Sequence, residues 1–163
     1  MGINVVWPGI EPVQNATCLD INLLMSVAEQ PYQECFGCEL YPSLAAKAAY
    51  IFCHLASGHV FSNGNKRTAA IALDQFVLTN THYLTLSNEQ VHDLAQSVAS
   101  AGERGQKFAD MLPKITALIK RNMIPLSTFR RTNEKVYRSL HRTKHAIRNY
   151  YFNQPGVPIS QLR

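Results

Sequence analysis

Nine consecutive residues, 59–67, carry the side chains of this chain best suited to phosphate chemistry: His-Val-Phe-Ser-Asn-Gly-Asn-Lys-Arg. His59 is the only residue among them that can act as a base near neutral pH. Gly64 has no Cβ, so a phosphate can approach the backbone closely at that position. Lys66 and Arg67 add two full positive charges beside it. The stretch predicts a phosphate-binding loop with His59 as its catalytic base.

The elements on either side of this loop are predicted to be helical. Residues 42–57 have a wide apolar face, and residues 68–78 are apolar on every side, so this second helix is expected to be buried. A loop that enters the N-terminus of a helix meets backbone N–H groups without intrahelical partners and the positive end of the helix dipole. We therefore expect Asn65 to donate an amide hydrogen to a phosphate or to cap the helix. Phe61 is predicted to anchor the loop by burying its ring.

The same residues resemble the signature of the Fic/Doc (Fido) superfamily, His-x-Phe-x-Asp/Glu-Gly-Asn-Gly/Lys-Arg. Lys66 after Asn65 makes the chain more similar to the death-on-curing (Doc) branch than to the Fic branch. Residues 19–28 and 40–45 also resemble Doc-like sequences, and the resemblance covers about residues 15–120. One signature position differs, because Asn63 stands where the family has an acid that holds Mg²⁺.

The resemblance implies a toxin of a toxin–antitoxin pair that transfers the γ-phosphate of ATP to a threonine of a translation elongation factor. It implies ATP, or another nucleoside triphosphate, and Mg²⁺ in the site, with Asn63 as a weak metal ligand. Residues 32–41 correspond to the flap that holds the target protein's backbone in the family. The chain has no match to the inhibitory motif of self-inhibited Fic proteins, so an inhibitor is expected to be a separate antitoxin chain.

Three alternatives remain open at this point. The first is a Fic-type AMP transferase. Such enzymes have Gly at the position of Lys66 and a second Arg at that of Ala70, so the residues present here favour the kinase over AMP transfer. Because a neutral amide attracts Mg²⁺ less than a carboxylate does, Asn63 also permits a pseudoenzyme that binds without reacting. The third alternative is a nucleic-acid-associated protein that acts through its basic tail.

Charge divides the chain into two parts. Residues 1–119 contain 6 Lys or Arg against 10 Asp or Glu, whereas residues 120–163 contain 10 against one. We predict a Fido domain at 1–124 and a basic extension at 125–163 that contacts an acidic partner or nucleic acid. With neither a signal peptide nor a membrane-length apolar run, the chain is expected to be cytoplasmic.

The predicted fold is all-α: a compact Fic/Doc-like bundle around the buried helix 68–78, with an appended basic helix at 132–151. Further helices are predicted at 19–28, at 87–100 after a capping box, and at 106–121 with a kink at Pro113. Residues 1–15 are expected to be an extended arm and residues 83–86 a brief extended piece. The Cys35–Cys38 spacing suggests a redox pair or half a zinc site, but no second pair completes a zinc site, so free thiols are predicted.

Overall fold

The computed structural model describes residues 17–101 and 104–132, with only the backbone of Thr132. The predicted arm at 1–15 and almost all of the predicted tail helix at 132–151 lie outside these residues. The described part is mostly helical, as predicted, with two small antiparallel sheets. Its helices are α1 (Ile21–Glu29), α2 (Leu44–Ser57), α3 (Asn65–Thr79), α4 (Asn88–Ala99), α5 (Phe108–Arg121) and α6 (Leu126–Thr132). Its strands are β1 (Glu34–Cys35), β2 (Cys38–Glu39), β3 (His82–Leu84) and β4 (Met123–Pro125).

The most buried helix is α2, not the helix after the loop. Eight side chains of α2 are buried, against four of α3. α2 packs against α1, α3, α4 and α5, and its alanines let these helices approach closely. One side of α3 faces outward, where Ile71 is 46% exposed and Asp74 is exposed. The prediction that residues 68–78 are buried on all sides is therefore wrong, because their apolar residues include an outward-facing one.

Side-chain caps define where three of the helices begin. The Asp20 carboxylate accepts the N–H of Leu23 before α1, and the Ser43 hydroxyl accepts the N–H of Ala46 before α2. α2 therefore starts one residue after Ser43, rather than at Pro42 as predicted. The predicted capping box of α4 is present in full, since Ser87 and Gln90 exchange hydrogen bonds between side chain and backbone. These caps satisfy N–H groups that have no partner within the helix.

Two short sheets complete the described part of the chain. β1 and β2 form a hairpin within residues 32–41, the segment that corresponds to the flap of the resembling family. β3 pairs with β4, so the predicted extended piece at 83–86 is in part a strand that begins one residue earlier. The predicted domain boundary after residue 124 falls inside β4, and the domain division itself remains a prediction. Across the described residues, no helix is long and apolar enough to span a membrane.

Candidate functional site

The end of α2 determines the backbone conformation of His59. Gly58 closes α2 with φ −82°, in the right-handed region. A Cβ at Gly58 would lie 2.4 Å from the carbonyl oxygen of His54, so a glycine is required there for space. His59 is the residue that turns left-handed, with φ 50°. It therefore directs the chain away from α2, just after the cap, and presents an exposed imidazole at the start of the loop.

The loop is held from outside by the segment before α1. The N–H of Leu19 donates to the carbonyl of Val60 at 2.9 Å, and the N–H of Ser62 donates to the carbonyl of Thr17 at 3.0 Å. The N–H of Thr17 in turn donates to the Ser62 hydroxyl at 3.1 Å. Val60 is fully buried beneath this pairing. The loop is thus held by backbone hydrogen bonds on both sides of residue 61, and no pattern in the sequence predicts this partner.

Asn65 ties the loop to the first turn of α3. Its Oδ1 accepts the N–H of Phe61 at 2.9 Å, and its Nδ2 donates to the carbonyl of Phe61 at 2.7 Å. The ring of Phe61 is partly buried against the core. Asn65 is the first residue of α3 and not its cap, so the capping role considered from sequence is wrong. Its amide shapes the loop, and its role toward a phosphate remains a prediction.

Gly64 precedes α3 in a left-handed conformation, with φ 80°. This φ favours glycine, whereas space does not demand it, since a Cβ there would meet nothing within 4 Å. Gly64 supplies no side-chain cap to α3, and no acidic residue lies in the first turn of that helix. The backbone donors and dipole of this end, together with Lys66 and Arg67, thus make an environment that favours an anion.

A cavity of about 410 Å³ lies between this loop and α4. Its volume is within the usual range for small-molecule sites. The loop and α3 contribute His59, Ser62, Asn63, Gly64, Asn65, Lys66 and Arg67; α4 contributes His92, Gln96 and Ala99; α2 contributes Ala56. The structure therefore brings six of the seven predicted site residues to one cavity, and the seventh, Phe61, lies behind them against the core.

The cavity is positively charged. Lys66 and Arg67 are the charged side chains of its lining, which contains no carboxylate. The Nζ of Lys66 reaches across to α4 and donates to Oε1 of Gln96 at 2.7 Å. Because no lining carboxylate neutralises these cations, the cavity is suited to an anionic ligand.

The wall formed by α4 is not among the site residues predicted from the sequence. His92, Gln96 and Ala99 are spaced i, i+4 and i+7, which places them on one face of a helix. That spacing is a signal available from the sequence, but by itself it does not show that this face of α4 packs against the loop. The structure instead places a second imidazole in the cavity. Its Nδ1 lies 3.5 Å from a carboxylate oxygen of Asp93, an ion pair when His92 is protonated.

The other described histidines lie elsewhere. The ring of His54 sits between those of Tyr50 and Phe108, with centroids 4.2 and 4.4 Å away. Burial lowers the pKa of His54 below its ordinary value, so the ring favours its neutral form. The ring of His82 contacts the carbonyl of Asn80. Neither residue lines the cavity beside the loop.

The cavity does not fit a resident Mg²⁺ ion. Mg²⁺ prefers one or two carboxylates with substrate phosphates, whereas the side-chain oxygens of the lining are all neutral, from the Ser62 hydroxyl and the amides of Asn63, Asn65 and Gln96. Nowhere in residues 17–101 and 104–132 do three or more His, Cys, Asp or Glu side chains form a group that could hold a metal. These residues could meet an ion that arrives on a ligand's phosphates, but they could not retain one alone.

The hairpin of the predicted flap contributes no residue to the cavity lining. Its Glu39 carboxylate pairs with Lys47 of α2 at 2.9 Å, and Lys47 also donates to the carbonyl of Pro31. Ala56, nine residues later on α2, borders the cavity. At a rise of 1.5 Å per residue, Lys47 and Ala56 are about 14 Å apart along the axis of α2.

Comparison with known proteins gives one match. A family model described as Fic/DOC family matches residues 9–77, which include the whole loop and most of α3. The match spans less than half of the chain and supports the Fic/Doc superfamily. No curated protein and no solved structure matches the chain.

Proposed function

We propose that the protein is a Fic/Doc-type transferase that moves the γ-phosphate of ATP to a hydroxyl of a target protein. The observation that carries the proposal is the cavity, in which the imidazole of His59 and the cationic start of α3 line the same space. The match of residues 9–77 to the Fic/DOC family supports protein modification as the general class of reaction. The absence of carboxylates from the lining supports a polyanionic co-substrate.

In the proposed reaction the loop positions the phosphates and His59 accepts a proton. Backbone N–H groups at the start of α3, with Lys66 and Arg67, bind the phosphate oxygens. The target hydroxyl oxygen forms a bond to the γ-phosphorus, and the bond from that phosphorus to the β–γ bridging oxygen breaks. ADP leaves, and the hydroxyl proton passes to the His59 imidazole. Mg²⁺, when it enters with the nucleotide, would neutralise phosphate charge near Asn63.

Transfer of phosphate is favoured over transfer of AMP by two positions. The Lys66 side chain extends across the cavity as far as Gln96. It therefore fills space that a smaller residue at position 66 would leave open. Ala70, at the position of the second arginine of AMP transferases, is buried in the core. The cavity therefore has no second arginine at that point to hold a nucleotide in the AMP-transferring orientation.

A second candidate function is binding without catalysis, and Asn63 is the observation that favours it. Asn63 is exposed at the tip of the loop and lines the cavity as a neutral amide. A pseudoenzyme would retain the anion site and lose only the metal-dependent step.

The wider biological role rests on the resemblance. We propose a toxin acting on an elongation-factor-type protein, held at the hairpin of residues 32–41 and inhibited by a separate antitoxin chain. The basic extension 125–163 would contact an acidic partner or nucleic acid. Its described part includes Arg130 and Arg131 on α6.

In the deciding experiment, the protein is incubated with a cell lysate and with ATP that is labelled at either the γ- or the α-phosphate. Label on a lysate protein from γ-ATP alone is the expected result, α-label would indicate AMP transfer, and no label with retained ATP binding would indicate a pseudoenzyme. We expect His59→Ala to abolish transfer and His82→Ala, away from the cavity, to retain it. Transfer that survives in His59→Ala but is lost in His92→Ala would assign the base to the opposite wall.

A further inference from the structure

The hairpin of residues 34–39 places two cysteines directly opposite each other. Cys35 of β1 is the register partner of Cys38 of β2. Gln33 and Leu40 form a hydrogen-bonded pair, because the N–H of Leu40 donates to the carbonyl of Gln33 at 3.1 Å. Hydrogen-bonded and non-hydrogen-bonded pairs alternate along an antiparallel ladder, so Cys35 and Cys38, two residues further along, are also a hydrogen-bonded pair. Bonded pairs of antiparallel strands have Cα atoms about 5.5 Å apart. A disulfide spans about 4.4–6.8 Å between Cα atoms, so this backbone can accept one.

Both thiols project away from the body of the protein. Side chains alternate between the two faces of a strand. The Glu39 carboxylate lies on the face toward α2, where it pairs with Lys47 at 2.9 Å. Cys38, its neighbour, and Cys35, the partner of Cys38, therefore share the opposite face. Both are exposed free thiols, accessible to a reagent in solution.

The turn between the cysteines brings them together at a conformational cost. Phe36 and Gly37 have φ 51° and 76°, as in the two-residue turns of tight hairpins. A left-handed conformation is unfavourable for a phenylalanine, and the Phe36 ring is fully exposed, so no packing compensates for it. With strands of two residues each, this hairpin has few backbone hydrogen bonds of its own. A covalent link between the strands would hold it closed.

We propose that Cys35 and Cys38 form a dithiol site that exchanges with small disulfides of the oxidised-glutathione class. One cysteine thiolate attacks a sulfur of oxidised glutathione, forms a mixed disulfide and releases one glutathione thiolate, which takes up a proton. The second cysteine then attacks the protein-bound sulfur of the mixed disulfide and releases the second glutathione. The two protein thiols lose two electrons and two protons, and one oxidised glutathione becomes two reduced ones. This inference does not depend on the proposed transferase activity.

Proximity makes the second step fast relative to a further glutathione addition. Once one cysteine carries glutathione, the other thiol is held beside it at a high effective concentration. The remaining cysteines differ in this respect. Cys53 is fully buried in α2, and burial raises its pKa to about 12, so it has little thiolate. Cys18 is exposed, and its register partner is Phe61 of the loop, not a cysteine.

The test uses full-length protein in a Cys18→Ser background, which removes the other exposed thiol. The background protein and its Cys35→Ser and Cys38→Ser derivatives are treated with oxidised glutathione and compared by intact mass. We expect the background protein to lose the mass of two hydrogen atoms, whereas each derivative gains one glutathione. Cleavage after Glu34 and Glu39 should release residues 35–39 as one internally linked peptide, and dithiothreitol should restore the original mass.

A second readout follows the hairpin itself. Hydrogen exchange of the Leu40 amide, which bonds to Gln33, should slow on oxidation of the background protein and stay unchanged in the serine derivatives. Stable addition of two glutathiones to the background protein, without ring closure, would overturn the proposal. Disulfide-linked dimers formed through Cys35 or Cys38 at low protein concentration would also overturn it. Circular dichroism of all variants checks that the helices are intact, as expected for substitutions of exposed residues.

Discussion

His59 contributes its backbone conformation to the turn after α2 and its side chain to the cavity. Its backbone takes the left-handed turn that follows the cap of α2, and its imidazole borders the cavity. Asparagine and glycine tolerate this φ better than residues with a bulkier side chain. The local backbone is thus less favourable than it would be with glycine, as often occurs at functional sites.

Two substitutions at His59 separate these contributions. We expect His59→Gly to be about 1 kcal/mol more stable than His59→Ala, because glycine adopts φ near 50° without a steric penalty. Both should lack transfer activity, since neither has an imidazole. Chemical denaturation with a common m-value measures the difference. Equal stabilities would mean that residue 59 relaxes out of the left-handed region once the histidine is removed.

Asn63 allows the metal question to be tested directly. In an active enzyme, Asn63→Asp should raise transfer and lower the Mg²⁺ concentration for half-maximal rate by about tenfold or more, because it places a full charge near the ion. Since Asn63 is exposed, solvent screening limits this gain. Asn63→Ser, which is neutral, is the matched control. A fast wild type with a slow Asn63→Asp variant would show that the amide has a role of its own.

Among the elements, α4 determines one wall of the cavity. Its capping box fixes where the helix starts and hence the positions of His92 and Gln96. The Ser87 hydroxyl accepts the N–H of Gln90 at 3.2 Å, and the Gln90 side chain accepts the N–H of Ser87 at 2.8 Å. Two donors that have no partner inside the helix are satisfied in this way.

Removal of this cap should loosen the wall. We expect Ser87→Ala to lower the free energy of unfolding by about 1 kcal/mol, the usual cost of losing a serine cap. Ser26→Ala, inside α1 and exposed, is the matched control and should change stability by less than about 0.5 kcal/mol. Thermal and urea denaturation of both variants supply the comparison. An equal effect of the two substitutions would contradict the contribution of the cap.

The helices could be predicted from sequence because their signals are local. The capping box at Ser87 and the apolar face of residues 42–57 depend only on nearby residues. The pairing of Thr17 and Leu19 with the loop could not be predicted, because a three-residue backbone pairing leaves no side-chain pattern. The phosphate chemistry expected of the loop follows from residue types alone, whereas the opposite wall of the cavity depends on how α4 packs.

At the scale of the whole molecule, the end of the described chain packs onto its middle. β4 pairs with β3, and the N–H of Leu126 donates to the carbonyl of Thr81. The ring of Phe129 on α6 stacks on that of Tyr83, with centroids 3.8 Å apart, and Phe129 is buried. Residues beyond 124 thus contribute to the packing of the bundle.

Phe129 provides a test of this packing. We expect Phe129→Ala to lower the free energy of unfolding by about 3 kcal/mol, through lost apolar burial and the cavity left behind. Phe36→Ala is the matched control, because that ring is fully exposed, and it should leave stability within about 0.5 kcal/mol of wild type. Denaturant unfolding distinguishes the two. A small effect at Phe129 would support a domain that ends before α6.

The hydrogen bond between Lys66 and Gln96 has a consequence for the thermodynamics of ligand binding. A free lysine side chain carries about 2 kcal/mol of rotamer entropy, which a ligand must overcome when it orders the chain. Here the amide of Gln96 holds the ammonium group on the cavity wall before any ligand arrives. An anion that takes the place of the amide would exchange a neutral acceptor for a charged one. Part of the ordering of Lys66 would by then have occurred during folding.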